Sequence, residues 1–297
     1  MTEPIVVATD GSPAATAAVE WAADDAARKH LPLRIVHVLD LTPYDIPRYP
    51  VSDVYDHLAG SGREILRQAE QAARERRPGT EVTTEMIEGE PVHVLRGQAE
   101  RATELVVGSR GLGGFTGMLL GSVSTHVAGH VDAPVVVVRP GPPAVRGEIA
   151  VGFDGSPESE AALAYAFEEA ALRGARLRVV HAWQLPTYVY APSMVYDLDE
   201  VRRAHEDLVT GTLREWREKH PGVDAVPAVV SVHPVTALVE ASAEADLVVV
   251  GSRGRGAVRS LVLGSVSRAV LHHAHGPIAV VRPKAPPAEE KPRPETT

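Results

Sequence analysis

Two stretches place glycines, serines and a cation at a spacing suited to holding an anion. The first runs Gly108-Ser109-Arg110-Gly111, then nine residues, then Gly121-Ser122-Val123-Ser124. The second runs Gly251-Ser252-Arg253-Gly254, nine residues, and Gly264-Ser265-Val266-Ser267. Each follows an apolar β-branched run (105–107 and 247–250) and precedes a helical pattern, so the glycines fall where a strand hands over to a helix. Backbone at such a junction suits phosphate: glycine brings N–H groups against a ligand with no Cβ in the way, and the helix start offers unpaired donors at the positive end of its dipole. Ser122 and Ser265 are also N-cap residue types, with hydroxyls for the helix or for a phosphate oxygen. A glycine-rich turn that only closes a strand-loop-helix unit competes with this reading for one copy; two copies with one gap weigh against it.

The elements that must position these loops read as alternating strands and helices. Strands are expected near 5–9, 33–39, 82–87, 105–107 and 135–138, and helices near 14–29, 53–76, 91–102 and 122–130. Asp10-Gly11-Ser12-Pro13 ends the first strand and starts the first helix, with Pro tolerated in its first turn. Strand and helix in alternation give a parallel, doubly wound sheet with helices on both faces. The loops at 40–52 and 184–193 are candidate partner surfaces or variable connectors.

The whole pattern then repeats. Asp10 returns as Asp154 and His37 as His181 at one common offset; Pro91 returns as Pro234, Gly108 as Gly251 and Pro134 as Pro277 at an offset shorter by one. A register held over half the chain means duplicated domains rather than a short-period solenoid. The division expected is domain one at 1–140, a Pro- and Gly-containing linker at 141–147, domain two at 148–283 and a disordered Pro- and Glu-rich tail at 284–297.

Composition narrows the function classes. A chain of 297 residues is long for one core and fits two domains. A formal charge of −9 argues against nucleic acid or an anionic membrane as the main partner, and the lack of cysteine removes disulfides, thiol catalysis and thiolate metal sites. No apolar run approaches membrane-spanning length and the start shows no leader pattern, so a cytoplasmic protein is expected. No Gly-Lys-Ser/Thr occurs, and Thr116 and Arg259 stand where a dinucleotide fingerprint needs its third glycine. His272, His273 and His275 cluster without acidic partners, a weak metal signal; His37 and His181 read as buried, hydrogen-bonded residues.

An Asp ending the first strand, Gly-x2-Gly-x9-Gly-Ser after the fourth and a closing Ala-Pro-Val-Val-Val strand together resemble the universal stress protein family in its tandem, ATP-binding form. The resemblance implies an adenine-nucleotide α-hydrolase-like α/β fold, with two five-stranded parallel sheets of order 3-2-1-4-5. It also implies domain pairing through the last strands, 135–138 and 278–281, within the chain or in a homodimer of tandem chains. It implies that Asp10 and Asp154 lie against ribose or base and that Val38 and Ala182 line an adenine pocket. Gly108, Gly111, Gly121, Ser122, Val123 and Ser124, with Gly251, Gly254, Gly264, Ser265, Val266 and Ser267, would hold the phosphates of ATP, accompanied by magnesium. The residues themselves agree, because ligands of open α/β sheets bind beyond the carboxyl ends of strands where strand order reverses. The halves differ beside the site, Val38-Leu39 against Ala182-Trp183, and Trp183 either stacks on a base or fills the pocket.

No general base or repeated carboxylate pair accompanies the loops, so a nucleotide-dependent regulator or sensor in stress or growth arrest, read by an unidentified protein partner, is the leading expectation. A slow ATPase and a non-binding scaffold are the alternatives.

Overall fold

The computed structural model describes residues 2–42, 51–112, 120–141, 145–184, 197–255 and 263–283, and no side chains for 51–54. Most of the two long loops, both glycine-loop centres (113–119 and 256–262) and the tail lie outside the described residues, as do Thr116 and Arg259. The first half runs β1 (Ile5–Ala8), α1 (Pro13–Lys29), β2 (Leu33–Leu39), α2 (Val51–Arg76), β3 (Val82–Glu88), α3 (Pro91–Ala99), β4 (Glu104–Gly108), α4 (Ser122–His130) and β5 (Val135–Val138). The second half runs β6 (Glu148–Gly152), α5 (Pro157–Arg173), β7 (Arg176–Ala182), α6 (Leu198–Lys219), β8 (Ala225–Val230), α7 (Pro234–Ser242), β9 (Leu247–Gly251), α8 (Ser265–His273) and β10 (Ile278–Val281).

The strands form one sheet in the order β3-β2-β1-β4-β5-β10-β9-β6-β7-β8, so each half has the order 3-2-1-4-5 and the two are fused edge to edge. Period-two alternation divides the core: Ile5, Val7 and Ile35 face α1, α2, α5 and α6, while Val6, Val36 and Leu105 face α3, α4, α7 and α8. Pairing is parallel within each half and antiparallel at the seam, where Ile278, Ala279 and Val280 oppose Val137, Val136 and Val135. Ala279 is the repeat equivalent of Val136, so a local two-fold axis passes through that pair. The last strands therefore pair within one chain, and their edges are closed to a second chain by the same route.

A buried ion cluster sits on this axis. Lys29 Nζ lies 2.6 Å from Asp25, 2.9 Å from Glu104 and 2.7 Å from Glu169, and Arg173 lies 2.9 Å from Asp25 and 2.7 Å from Glu169. Arg28 also bonds Asp25, and Tyr165 Oη donates to Glu104 at 2.5 Å. Glu169 repeats Asp25 and Arg173 repeats Lys29, in the same register that carries Asp10 to Asp154. The rings are exchanged likewise: Lys29 lies over Tyr165 and Arg173 over Trp21, its counterpart. Glu104 breaks the symmetry, since its equivalent is the buried Leu247. Burial pushes the Glu104 carboxyl up to about 7, reinforced by the charge of Asp25 and opposed by Lys29.

Candidate functional site

At the carboxyl end of β1 the chain turns through Gly11 at φ 81°, a left-handed value that favours glycine, and Gly155 repeats this at φ 77°. Ser12 and Ser156 then cap α1 and α5, accepting from the N–H groups of Ala15 and Ser159. Capping falls to these serines and leaves the aspartates for another task. Asp10 Oδ1 accepts from Ser12 N at 3.0 Å, and Oδ2 accepts from Leu112 N at 2.8 Å. Asp154 accepts in the same way from Ser156 N and from Arg255 N, both at 3.0 Å, and from Ser156 Oγ at 2.5 Å. Each aspartate thus ties the loop after the first strand of its half to the glycine loop after the fourth. Burial pushes the Asp154 carboxyl up, but the donors from Ser156 and Arg255 outweigh it and hold the group below the ordinary Asp value.

The glycines have distinct duties. A Cβ on Gly111 or Gly254 would overlap the carboxylate of Asp10 or Asp154, so these two let the clamp close. A Cβ on Gly108 would lie 2.7 Å from the carbonyl carbon of Ala14, and one on Gly251 2.8 Å from that of Glu158; these let a helix pack on a strand. Gly121 N donates to Ser109 O at 2.8 Å and Gly264 N to Ser252 O at 2.7 Å, so both N–H groups are engaged in closing the loop. Ser124 Oγ donates to Gly108 O at 2.7 Å and Ser267 Oγ to Gly251 O at 2.6 Å, bracing the strand end from the helix.

Expectation and structure part at Ser122 and Ser265. The N-caps of α4 and α8 are Gly121 and Gly264, in extended backbone, and the serines are the exposed first helical residues. Because a glycine cap has no side chain, neither helix has a side-chain cap accepting from its first-turn N–H groups. The contrast is specific: α1, α3, α5, α6 and α7 are capped by Ser12, Glu90, Ser156, Asp197 and His233. Only the helices behind the glycine loops, among those with a described N-cap, leave their first-turn donors without a side-chain acceptor.

In the second half these parts surround a cavity of about 1220 Å³. Asp154, Ala182, Gly251, Gly254, Gly264, Ser265, Val266 and Ser267, the whole set expected there, line it. Arg253 and Arg255 add positive charge, and Phe153, His181, Trp183 and His205 form an aromatic side. In the first half Asp10, Gly108, Gly111 and Gly121 hold the same mutual geometry, Val123 is half-buried on α4, and Val38 is half-buried near the end of β2. Since β5 and β10 are antiparallel, the carboxyl ends of the two sets of strands point in opposite directions, and the two sites open on opposite edges of the sheet.

His205 escaped the sequence reading. It bonds His181 at 2.9 Å and stacks on Trp183, and burial, then the charges of His181 and Arg255, hold its imidazole below the usual value. Its signal was a difference between the halves, since Gly62 stands at the matching position of the first repeat.

A model of the universal stress protein family matches residues 1–139 and again 146–282. The chain belongs to this family. Its relatives include universal stress protein Rv2005c of Mycobacterium tuberculosis, 37% identical over 286 residues, spanning 94% of this chain and 96% of the relative. Universal stress protein Rv1996 of the same species is 34% identical over 308 residues, spanning 96% of each. The crystal structure of a universal stress protein from Archaeoglobus fulgidus superposes with a TM-score of 0.71 at 22% identity, covering 95% of this chain and 99% of that one, which shows the shared fold. No helix among the described residues is long and apolar enough to cross a membrane.

Proposed function

We propose that the chain binds ATP at two sites, one in each half, and acts as a nucleotide-dependent regulator whose bound state is read by a protein partner in the cytoplasm. The observation that carries this reading is the pair of glycine-capped helices, α4 and α8, whose first-turn donors stand open behind the two glycine loops. In the second half that helix start lies in a cavity large enough for a nucleoside triphosphate and lined by Arg253 and Arg255. Ser265 and the backbone of Val266 would take phosphate oxygens, Ala182 and its neighbours the base, and Asp154 the sugar side. Magnesium fits as a phosphate-bound ion, since Mg²⁺ keeps several waters and seldom needs a protein cage.

Asp154 makes a poor general base, because both of its oxygens already accept hydrogen bonds from the loops. Binding without appreciable turnover follows. Calorimetric titration of nucleotide-free protein with MgATP tests the proposal: two sites per chain are expected, with no phosphate released on the same timescale. No heat at millimolar ATP would overturn it.

A further inference from the structure

Among the described residues, the aromatic side of the cavity belongs to the second half. His181, Ala182 and Trp183 follow one another at the end of β7, and all three line the cavity. The Trp183 and His205 rings are close to parallel, with centroids 5.0 Å apart and planes at 17°, and both residues are half-buried. Their protons are fixed by their partners. His181 Nδ1 lies 2.8 Å from the carbonyl of Phe153, which only accepts, so Nδ1 carries the hydrogen. Nε2 of His181 is then an acceptor, and His205 Nδ1 donates to it at 2.9 Å. An edge-on hydrogen bond thus sets the plane of the His205 ring, and that plane sets the indole against it.

Among the described residues, the first half has none of this. In the repeat register Leu39 stands in place of Trp183 and Gly62 in place of His205. The space is exchanged as well. Met86 pairs in register with His37, and a Cβ on Gly62 would lie 2.9 Å from its sulfur and 2.8 Å from the His37 ring. In the second half Val229 holds that register position beside His181, and the shorter side chain leaves room for an imidazole.

We propose that Trp183, ordered by the His205 ring behind it, is a stacking wall that makes the second site selective for a nucleotide with a planar aromatic base, while the first site holds its nucleotide without a stacked base. The proposal rests on the nucleotide reading above and adds a division of labour to it. An indole already ordered before the ligand arrives loses little freedom on binding, and stacking on a base is tolerant of base identity.

Two probes separate the contributions: ATP, and inorganic tripolyphosphate, which has no base. In the native protein ATP quenches tryptophan emission and tripolyphosphate does not. Trp183→Leu, which installs the first half's residue, abolishes the quench and weakens one of the two ATP sites about tenfold, with tripolyphosphate binding unchanged. Trp183→Phe, which keeps a ring, retains most of the affinity, and His205→Gly lies between; circular dichroism checks that each variant is folded. Unchanged ATP affinity in Trp183→Leu, or an equal loss for both probes, would overturn the wall and leave the nucleotide site standing. Failure of the native chain to bind either probe would overturn both.

Discussion

Asp25 and Glu169, equivalent positions of the two repeats, meet on a single ammonium group, with Lys29 Nζ 2.6 Å from one and 2.7 Å from the other. The seam thus joins charge to charge from both halves inside a largely buried contact. Removing one partner of a buried ionic group is far costlier than replacing the whole group by apolar residues. Lys29→Met should lower stability by about 3–5 kcal/mol, measured by urea denaturation. A loss below about 1 kcal/mol would show that the cluster behaves like a surface pair.

Glu104 makes stability depend on pH. Its carboxyl keeps its proton up to about 7 in the fold, against 4.5 when unperturbed. Between those values the folded chain binds more protons than the unfolded chain, so stability from this group is full below about 4.5 and is lost as the pH rises through 7. Burial pushes the Glu169 carboxyl up, but the charges and hydrogen bonds of Arg173 and Lys29 together outweigh it and hold the group down, so it acts in the opposite sense at acid pH. Glu104→Gln keeps an acceptor for Tyr165 and removes the titration. The wild-type melting temperature should fall relative to that of Glu104→Gln by several degrees between about pH 5.5 and about pH 8. Parallel melting curves across that range would refute the assignment.

Among the loop glycines, position decides whether the loss is one of folding. Gly108→Ala and Gly251→Ala drive a methyl into helix backbone and should each lower stability by about 1–3 kcal/mol. Gly121→Ala should change it by less than about 1 kcal/mol, since a Cβ there meets nothing nearer than Ser109 O at 3.5 Å and its φ of −78° suits any residue. Thermal denaturation of the three variants separates them, and equal losses would discredit the packing role of Gly108.

The clamp can be tested as a pair. Gly254→Ala sets a methyl against the Asp154 carboxylate, and Asp154→Ala removes the obstacle along with its bonds to Ser156 and Arg255. The double variant should therefore be less impaired in stability and ATP affinity than the sum of the single losses, with a coupling of about 1–3 kcal/mol. Strict additivity would mean that the glycine and the aspartate act independently.

The fold was legible because each element announces itself locally. A mostly apolar run marked β2 at 33–39 and a glycine and a proline bracketed α4 at 122–130, and both sets of bounds are those of the structure. Gly108 was read for its place in the glycine spacing; spacing does not show what its missing Cβ avoids, here the backbone of α1. Ser122 looked like a cap because its residue type fits one; the engaged N–H and extended backbone of Gly121 move the cap one residue back. Asp25 and Lys29 lie on the alanine-rich face of α1, where a helix read alone gives charges no reason to be buried. Each also has a partner in the other half, Arg173 for Asp25 and Glu169 for Lys29, and the trace of that in the sequence is an acid and a base recurring together as Glu169 and Arg173.

The antiparallel contact between β5 and β10 also bears on how such a protein can change. Two identical subunits meeting along those edges would carry identical sites, and any substitution would appear twice. Joining the halves in one chain keeps the contact at every dilution and releases each site from copying the other. Glu104 standing where its repeat has Leu247, and His205 where its repeat has Gly62, are what that release looks like: inheritance that no longer has to be symmetrical.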